Sequence, residues 1–308
     1  MILLKRLSCL VLVTLGLAAC LPSDPERGAP EEIIVSEHPA VQAKPNTSPL
    51  VLSDDILKKR SFSEAPDLAR RVAEGTLPPV SERLPANPLV IRPLRETGRY
   101  GGTLRRALTG DIVQTAGVSK ALGENLMSFE RPMPNSLVYS LAESHEYVGD
   151  GSVAVFKIRE GVKWSDGHPF TVDDILFWYY DFQLNDDARD SALPPTVWII
   201  DDEPIRMVKV DDTTLRIESR HPLGRILHAF TTNEIALPKH YFTKFHPRYN
   251  PESNYQTWRD STTAAQRLYH PGVPRISAWV PVEWVRGQRL VFGRNPYYWK
   301  VDTAGNQL

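Results

Sequence analysis

Five adjacent aspartate pairs, eight histidines, two cysteines and seven tryptophans are side chains of this 308-residue sequence whose types lend themselves to catalysis or ligand contact. The pairs are Asp54-Asp55, Asp173-Asp174, Asp186-Asp187, Asp201-Asp202 and Asp211-Asp212. General acid/base work needs two carboxylates facing one reacting group, and neighbouring residues on a helix do not face each other. Each pair fits a helix start or a turn better. The closest histidines in sequence, His240 and His246, are six apart, a poor spacing for one metal held on one helix face, so the histidines read as turn and surface residues. G-x-S-x-G, H-E-x-x-H, a phosphate-binding glycine loop ending in Lys-Ser/Thr and C-x-x-C do not occur. The pattern points away from catalysis and implies neither metal nor cofactor. A hydrolase built on two remote carboxylates is the one enzyme reading left. The tryptophans offer broad apolar faces on which a ligand can stack.

The start of the chain decides where such a protein works. Lys5 and Arg6 precede an apolar run of 13 residues from Leu7 to Ala19. A bilayer span needs roughly 20 apolar residues, whereas the run has the length of an export-signal h-region. It closes on Leu17-Ala18-Ala19-Cys20, which resembles the lipobox of bacterial lipoproteins. That resemblance implies cleavage after Ala19 and lipidation of Cys20; the alternative is an ordinary signal peptide that contains a cysteine. Acyl chains at about 0.8 kcal/mol per buried CH₂ anchor a protein without a transmembrane helix. Cys9 would leave with the signal, so the mature chain would keep no thiol for a disulfide, a metal or a nucleophile. Without Lys5 and Arg6 the 36 basic side chains become 34 against 37 acidic ones, a net charge of −3. That near-neutral balance argues against nucleic acid as a partner.

Composition divides the remainder. Residues 1–19 read as a signal peptide. Residues 20–49, with prolines at 22, 25, 30, 39, 45 and 49 and no apolar periodicity, read as a disordered tether. Residues 50–99 read as a helical and extended arm: SDDILKKR with Ser53 as N-cap, PDLARRVAEG with Gly75 as stop, then the proline-punctuated PPVSERLPANPLVIRPL. Residues 100–308 read as an α/β domain. Gly101-Gly102 introduce a short strand, TLRRAL. HEYVGDGSVAVFKI reads as a hairpin turning on Gly149-Asp150-Gly151, with Ala154, Phe156 and Ile158 on one face, and MVKVDDTTLRIES reads as a second. Ser165-Asp166-Gly167 form a turn, and Thr171 with Asp174 has capping-box spacing. The helix it starts, over about 172–183, carries Ile175, Trp178, Tyr179 and Phe182 on one face and is expected to be buried.

LAESHEYVGDGSVAVFKIREGVKWSDGHPFTVDDILFWYYDF resembles the signature region of the family 5 extracellular solute-binding proteins, the ligand-binding components of bacterial ABC importers. EIALPKHYF, the stretch from Ile276 to Leu308 and the arm with GRYGGTLR agree with the same family in order and spacing. The resemblance implies an α/β fold of the type II periplasmic-binding-protein kind, a lobe with a mixed β-sheet and flanking helices. Family chains run on to a second lobe, so the expected unit is lobe I with the second lobe missing. It further implies a lipid-anchored, periplasmic or cell-envelope protein that captures oligopeptides for ABC permease subunits. Oligosaccharides are the alternative ligand, and a single-lobe lipoprotein with a structural or interaction role the alternative function. By position in the family, Thr109 and Asp111, in the turn after the first strand, and Trp198, in the loop after the aromatic helix, are the ligand-binding candidates. Trp164, Trp178, Trp284 and Trp299 are expected to be structural.

Overall fold

The computed structural model of the chain describes residues 52–93, 95–107, 122–129, 136–191, 194–232 and 234–308. Cys20, the signal and tether readings, Thr109 and Asp111 lie outside the described residues.

The arm folds first in sequence. Helix α1 (Asp54–Lys59) starts where Ser53 Oγ accepts a hydrogen bond from Ile56 N at 3.4 Å. Helix α2 (Pro66–Ala73) stops at Gly75, whose φ of +71° continues no right-handed helix. Helix α3 (Val80–Arg83) follows, then strand β1 (Leu89–Ile91). The buried Arg83 guanidinium donates to the carbonyls of Pro78 and Pro296, to Gln307 Oε1 and to the Glu64 carboxylate. Burying a guanidinium requires such complete pairing.

Strands β2 (Met127–Phe129) and β3 (Leu137–Tyr139) form an antiparallel pair. Strands β4 (Ala142–Val148) and β5 (Val153–Ile158) form the first expected hairpin, with Gly149 and Gly151 at positive φ in its turn. Ala154, Phe156 and Ile158 are buried and the residues between them are half-exposed, the alternation of a sheet with one covered face.

Helix α4 (Val172–Leu176) begins at the expected cap: Thr171 N donates to Asp174 Oδ2 at 3.0 Å, and Thr171 Oγ accepts from Asp173 N at 3.3 Å. It then widens into a π-helix over Phe177–Gln183. Ile175, Trp178, Tyr179 and Phe182 are all buried, with Phe177 beside them. Each such side chain, fully buried, contributes about 1.5–3 kcal/mol.

Strands β6 (Ile199–Ile200) and β7 (Glu203–Pro204) form a minimal pair, and β8 (Arg206–Asp211) and β9 (Thr214–Glu218) form the second expected hairpin. The main sheet has the order β4-β5-β9-β8 and is antiparallel throughout. Met207, Leu215 and Ile217 join Phe156 on its covered face, in one apolar cluster with the α4 aromatics. Tyr179 and Tyr180 donate to the carbonyls of Ile205 and Met207 at 2.6 and 2.9 Å, fixing helix to sheet edge.

Helices α5 (Ile226–Thr232), α6 (Lys239–Phe242), α7 (Tyr255–Thr262) and α8 (Ala264–Tyr269) lead to the hairpin β10 (Trp279–Val285)–β11 (Arg289–Arg294). Strand β12 (Lys300–Asp302) pairs parallel with β1, so the arm is joined to the far end of the described chain. That pair is parallel and forms its own two-stranded sheet, whereas the other described strand pairs are antiparallel.

One expectation fails here. Residues 103–107 form no strand, and Leu104 is 88 % exposed. A strand exists only as part of a hydrogen-bonded ladder, and no described strand pairs with this segment.

Candidate functional site

Asp174 ties together segments that line a cavity of the described chain. It is 4 % exposed and accepts from Thr171 N, from Trp164 Nε1 at 3.1 Å and from Lys239 N at 2.9 Å. Three segments are thereby drawn to the start of α4: the turn at 164–171, the apolar stretch before Pro238, and α6. Burial holds the Asp174 carboxyl above the usual carboxylate range, and the three donors oppose that shift. The turn is tight. Gly167 has a φ of +91°, and a Cβ there would lie 2.9 Å from the Tyr297 hydroxyl oxygen.

These segments line a cavity of about 250 Å³ with residues 122–125, 267–268 and 273–276. Its apolar wall includes Leu141, Trp164, Phe170, Leu237 and Phe242. Its charged residues are Glu124, Glu234, Arg267 and Arg275. Glu124 is neutralised by Lys300 Nζ and also accepts from the Tyr298 hydroxyl, both at 2.7 Å. Arg267 Nη1 donates to the Thr262 carbonyl at 2.5 Å and to Asp190 at 3.1 Å, and Nη2 lies 3.4 Å from Glu234 Oε2.

Arg275 differs. Its main chain is pinned: Arg275 N donates to Ser165 Oγ at 2.9 Å, and its carbonyl accepts from Ser165 N at 2.8 Å and from Asn295 Nδ2 at 3.3 Å. The residue is 9 % exposed, yet Nε and Nη2 are buried with no hydrogen-bond partner among the described residues. Burial lowers the guanidinium to about 10, and Glu234 is the carboxylate that opposes the shift.

Of the sequence candidates, Trp198 is corrected. It is 0 % exposed, its ring 5.6 Å from Trp178 and 5.4 Å from Phe230, and so it presents no face to a ligand. The short β6–β7 turn folds it inward instead: Ile205 N donates to its carbonyl at 3.0 Å. Trp164, Trp178 and Trp299 are buried, as structural residues should be. His246 is also buried rather than superficial, and its Nε2 lies 3.1 Å from the Asp181 carbonyl. His240 meets His168, not His246, in a parallel ring stack at 3.9 Å beside Asp166. The carboxylate pairs occupy caps and turns; Asp201 and Asp202 both have positive φ. Among the described residues no group of three or more His, Cys, Asp or Glu is placed to hold a metal ion. Sequence reasoning missed Arg275 and Arg267. The available signal was a lone arginine in HPGVPRISAWV, with no acidic residue between Asp260 and Glu283 to pair with it locally.

Residues 136–307, more than half of the chain, match the family model of bacterial extracellular solute-binding proteins, family 5 Middle. The chain belongs to this family. Among family 5 relatives, it is 30 % identical over 312 residues to the periplasmic alpha-galactoside-binding protein of Rhizobium meliloti (strain 1021), covering 91 % of this chain and 43 % of that one. It is 28 % identical over 214 residues to the periplasmic oligopeptide-binding protein OppA of Salmonella typhimurium (strain LT2), covering 65 % and 37 %. Its fold superposes on a solved oligopeptide-binding protein OppA with a TM-score of 0.72 at 32 % identity, covering 84 % of this chain and 42 % of that one. The periplasmic binding protein MelB of Agrobacterium fabrum C58, solved with stachyose, gives 0.69 at 28 % identity, covering 80 % and 39 %. The mixed α/β architecture is therefore that of periplasmic binding proteins, and the chain spans less than half the length of these relatives.

Proposed function

We propose that this family 5 protein is the substrate-binding component of an ABC importer, and that it captures oligopeptides outside the membrane and passes them to the permease. The family match over 136–307 carries this reading, and the superposition on OppA supports the ligand class. Ligands of such sites are enclosed, held by backbone groups, a few polar side chains and apolar walls. The cavity lined by Trp164, Phe170, Leu237 and Phe242 has apolar walls with a few polar side chains. No bond is made or broken in the process.

Oligosaccharide binding is the second reading. It is favoured by the similarity to the alpha-galactoside-binding protein over 91 % of this chain and by the superposition on MelB with stachyose. Calorimetry of the full chain against tri- to pentapeptides and against stachyose separates the two. Saturable heat with peptides and none with stachyose is the expected result; the reverse makes this an oligosaccharide-binding protein.

Among the described residues no helix is long and apolar enough to cross a membrane. We place the protein at the cell envelope through the lipid on Cys20, supported by Leu17-Ala18-Ala19-Cys20. Cys20→Ala is expected to move the protein from the membrane fraction to the soluble fraction and to abolish labelling by palmitate. Label on the Cys20→Ala protein rejects the anchor.

A further inference from the structure

Positive charge is gathered into one block at the end of the arm. Residues 92–106 hold five arginines, Arg92, Arg95, Arg99, Arg105 and Arg106, against the single acid Glu96, a charge of +4. The whole chain stands at −1 with histidine neutral, so the other residues total −5. Arg83, Arg159 and Arg267 are buried and paired with carboxylates of the fold. The five arginines of the block are instead all exposed, and among the described residues none makes an ion pair, a hydrogen bond or a ring contact through its side chain. Unpaired like charges gathered this closely repel one another, and an anionic partner relieves that repulsion.

Apolar side chains adjoin the block. Leu104, next to the Arg105-Arg106 pair, is 88 % exposed. Tyr100, next to Arg99, is fixed to the body: its hydroxyl donates to the Gln307 carbonyl at 2.7 Å, and its ring packs on the cluster of Ala65, Leu68 and Leu77. The Arg294 guanidinium lies 5.2 Å from the centre of the Tyr100 ring and 5.5 Å from that of Trp279. Arg294 stands opposite Trp279 in the β10–β11 ladder and has no carboxylate partner among the described residues. Trp279 itself is 41 % exposed. The basic block therefore runs into a tyrosine–arginine–tryptophan group. Asp302, at the end of the β1–β12 pair, does not neutralise it, because that carboxylate is buried and accepts from the Ala304 and Asn306 amides and the Asn306 side chain.

We propose that this face docks on an anionic lipid bilayer, the arginines of 92–106 and Arg294 meeting lipid phosphates and Trp279 entering the headgroup layer beside them. The guanidinium fork matches phosphate oxygens, and each basic residue at an anionic bilayer adds about fivefold to binding. Tryptophan and tyrosine favour the boundary between headgroups and acyl chains. Nucleic acid also offers phosphates, but it has no apolar layer for Leu104 and Trp279, and the −5 carried by the other residues opposes a long polyanion. The inference rests on the cell-envelope reading for the encounter with a bilayer, and not on the lipid at Cys20, which the test removes.

The full chain carrying Cys20→Ala is sedimented with vesicles of phosphatidylcholine and with vesicles of an equal mixture of phosphatidylcholine and phosphatidylglycerol. Partition to the anionic vesicles is expected to exceed that to the neutral ones by more than about a hundredfold, from about fivefold per arginine. The excess should vanish at about 1 M salt, where the screening length is about 3 Å instead of the 10 Å at 0.1 M. Arg95→Glu with Arg99→Glu should weaken partition at least about twenty-fivefold. The same change of charge at Arg220 and Arg225, exposed residues after β9, should cost far less. All these chains are alike in residues 1–91, so binding through that stretch cancels. Brominated lipid should quench part of the tryptophan fluorescence, and Trp279→Phe should remove that part. If a charge-reversed chain fails to fold, the comparison of vesicles and the salt dependence of the chain with both arginines still decide. Equal partition to neutral and anionic vesicles, or equal losses from the two pairs of substitutions, overturns the docking face and leaves the palmitate test of the Cys20 anchor untouched. Binding to duplex DNA as tight as to the vesicles, with Trp279 unquenched by brominated lipid, overturns the bilayer as the partner.

Discussion

Asp174→Ala is expected to destabilise the protein by more than about 3 kcal/mol, because it strips the acceptor from three amide or indole donors at once. Each of Thr171 N, Trp164 Nε1 and Lys239 N would be left without it in a region where Asp174 itself is 4 % exposed, and each orphaned buried donor costs about 1–3 kcal/mol. Domains have about 5–15 kcal/mol in total. At roughly 2–4 °C per kcal/mol for a domain of this size, the melting temperature should fall by at least about 6–12 °C. Asp174→Asn should be intermediate to severe, since its amide nitrogen would face N–H groups with a donor. The cavity should suffer as well, because Trp164 and Pro238 in its wall are positioned through the same carboxylate. A variant melting within two degrees of the unaltered chain would show that the carboxylate is not the tie between these segments.

How much of this was legible in the sequence depends on the range of the interaction. The two hairpins were readable because alternation and turn chemistry act within a dozen residues: Ala154, Phe156 and Ile158 face the core as their spacing requires. The start of α4 was readable for the same reason, Thr171 and Asp174 being three residues apart. Its conversion to a π-helix was not. Periodicity identifies an apolar face, but Phe177, Trp178, Tyr179 and Phe182 with Asp181 are all buried, so one narrow stripe does not describe the segment. Asp181 is inside because Arg248 and Tyr249, more than sixty residues on, donate to it at 2.8 and 2.7 Å. The cavity arginine is an extreme case of distance. Its anchors, Ser165 and Asn295, are 110 residues before it and 20 after it, and only their convergence turns an ordinary loop residue into an enclosed guanidinium. The unpaired 103–107 segment shows the converse, since it reads as a strand while no described strand pairs with it.

Trp198 separates a ligand-contacting role from a packing role, and the two give opposite signatures. Its ring fills the space between Trp178, Tyr179 and Phe230, edge-on to the first two. Trp198→Ala should therefore cost about 3–5 kcal/mol, the lost transfer energy plus the cavity left behind. Because Trp178 and Phe230 also belong to the cluster under the main sheet, the loss reaches beyond one loop, and the yield of folded protein should drop sharply. Trp198→Phe isolates the volume from the polar atom. The indole N–H is buried with no partner among the described residues, so phenylalanine removes an unsatisfied donor along with part of the ring, and the cost should be a fraction of that for alanine. Thermal melts of both variants, followed by peptide calorimetry on Trp198→Phe, make the test. The expected order is a large melting shift for alanine, a small one for phenylalanine, and unchanged ligand affinity in the phenylalanine variant. A residue that stacked on the ligand would behave differently: alanine would melt normally and bind weakly, and that outcome would require the ring to leave the core before the ligand arrives.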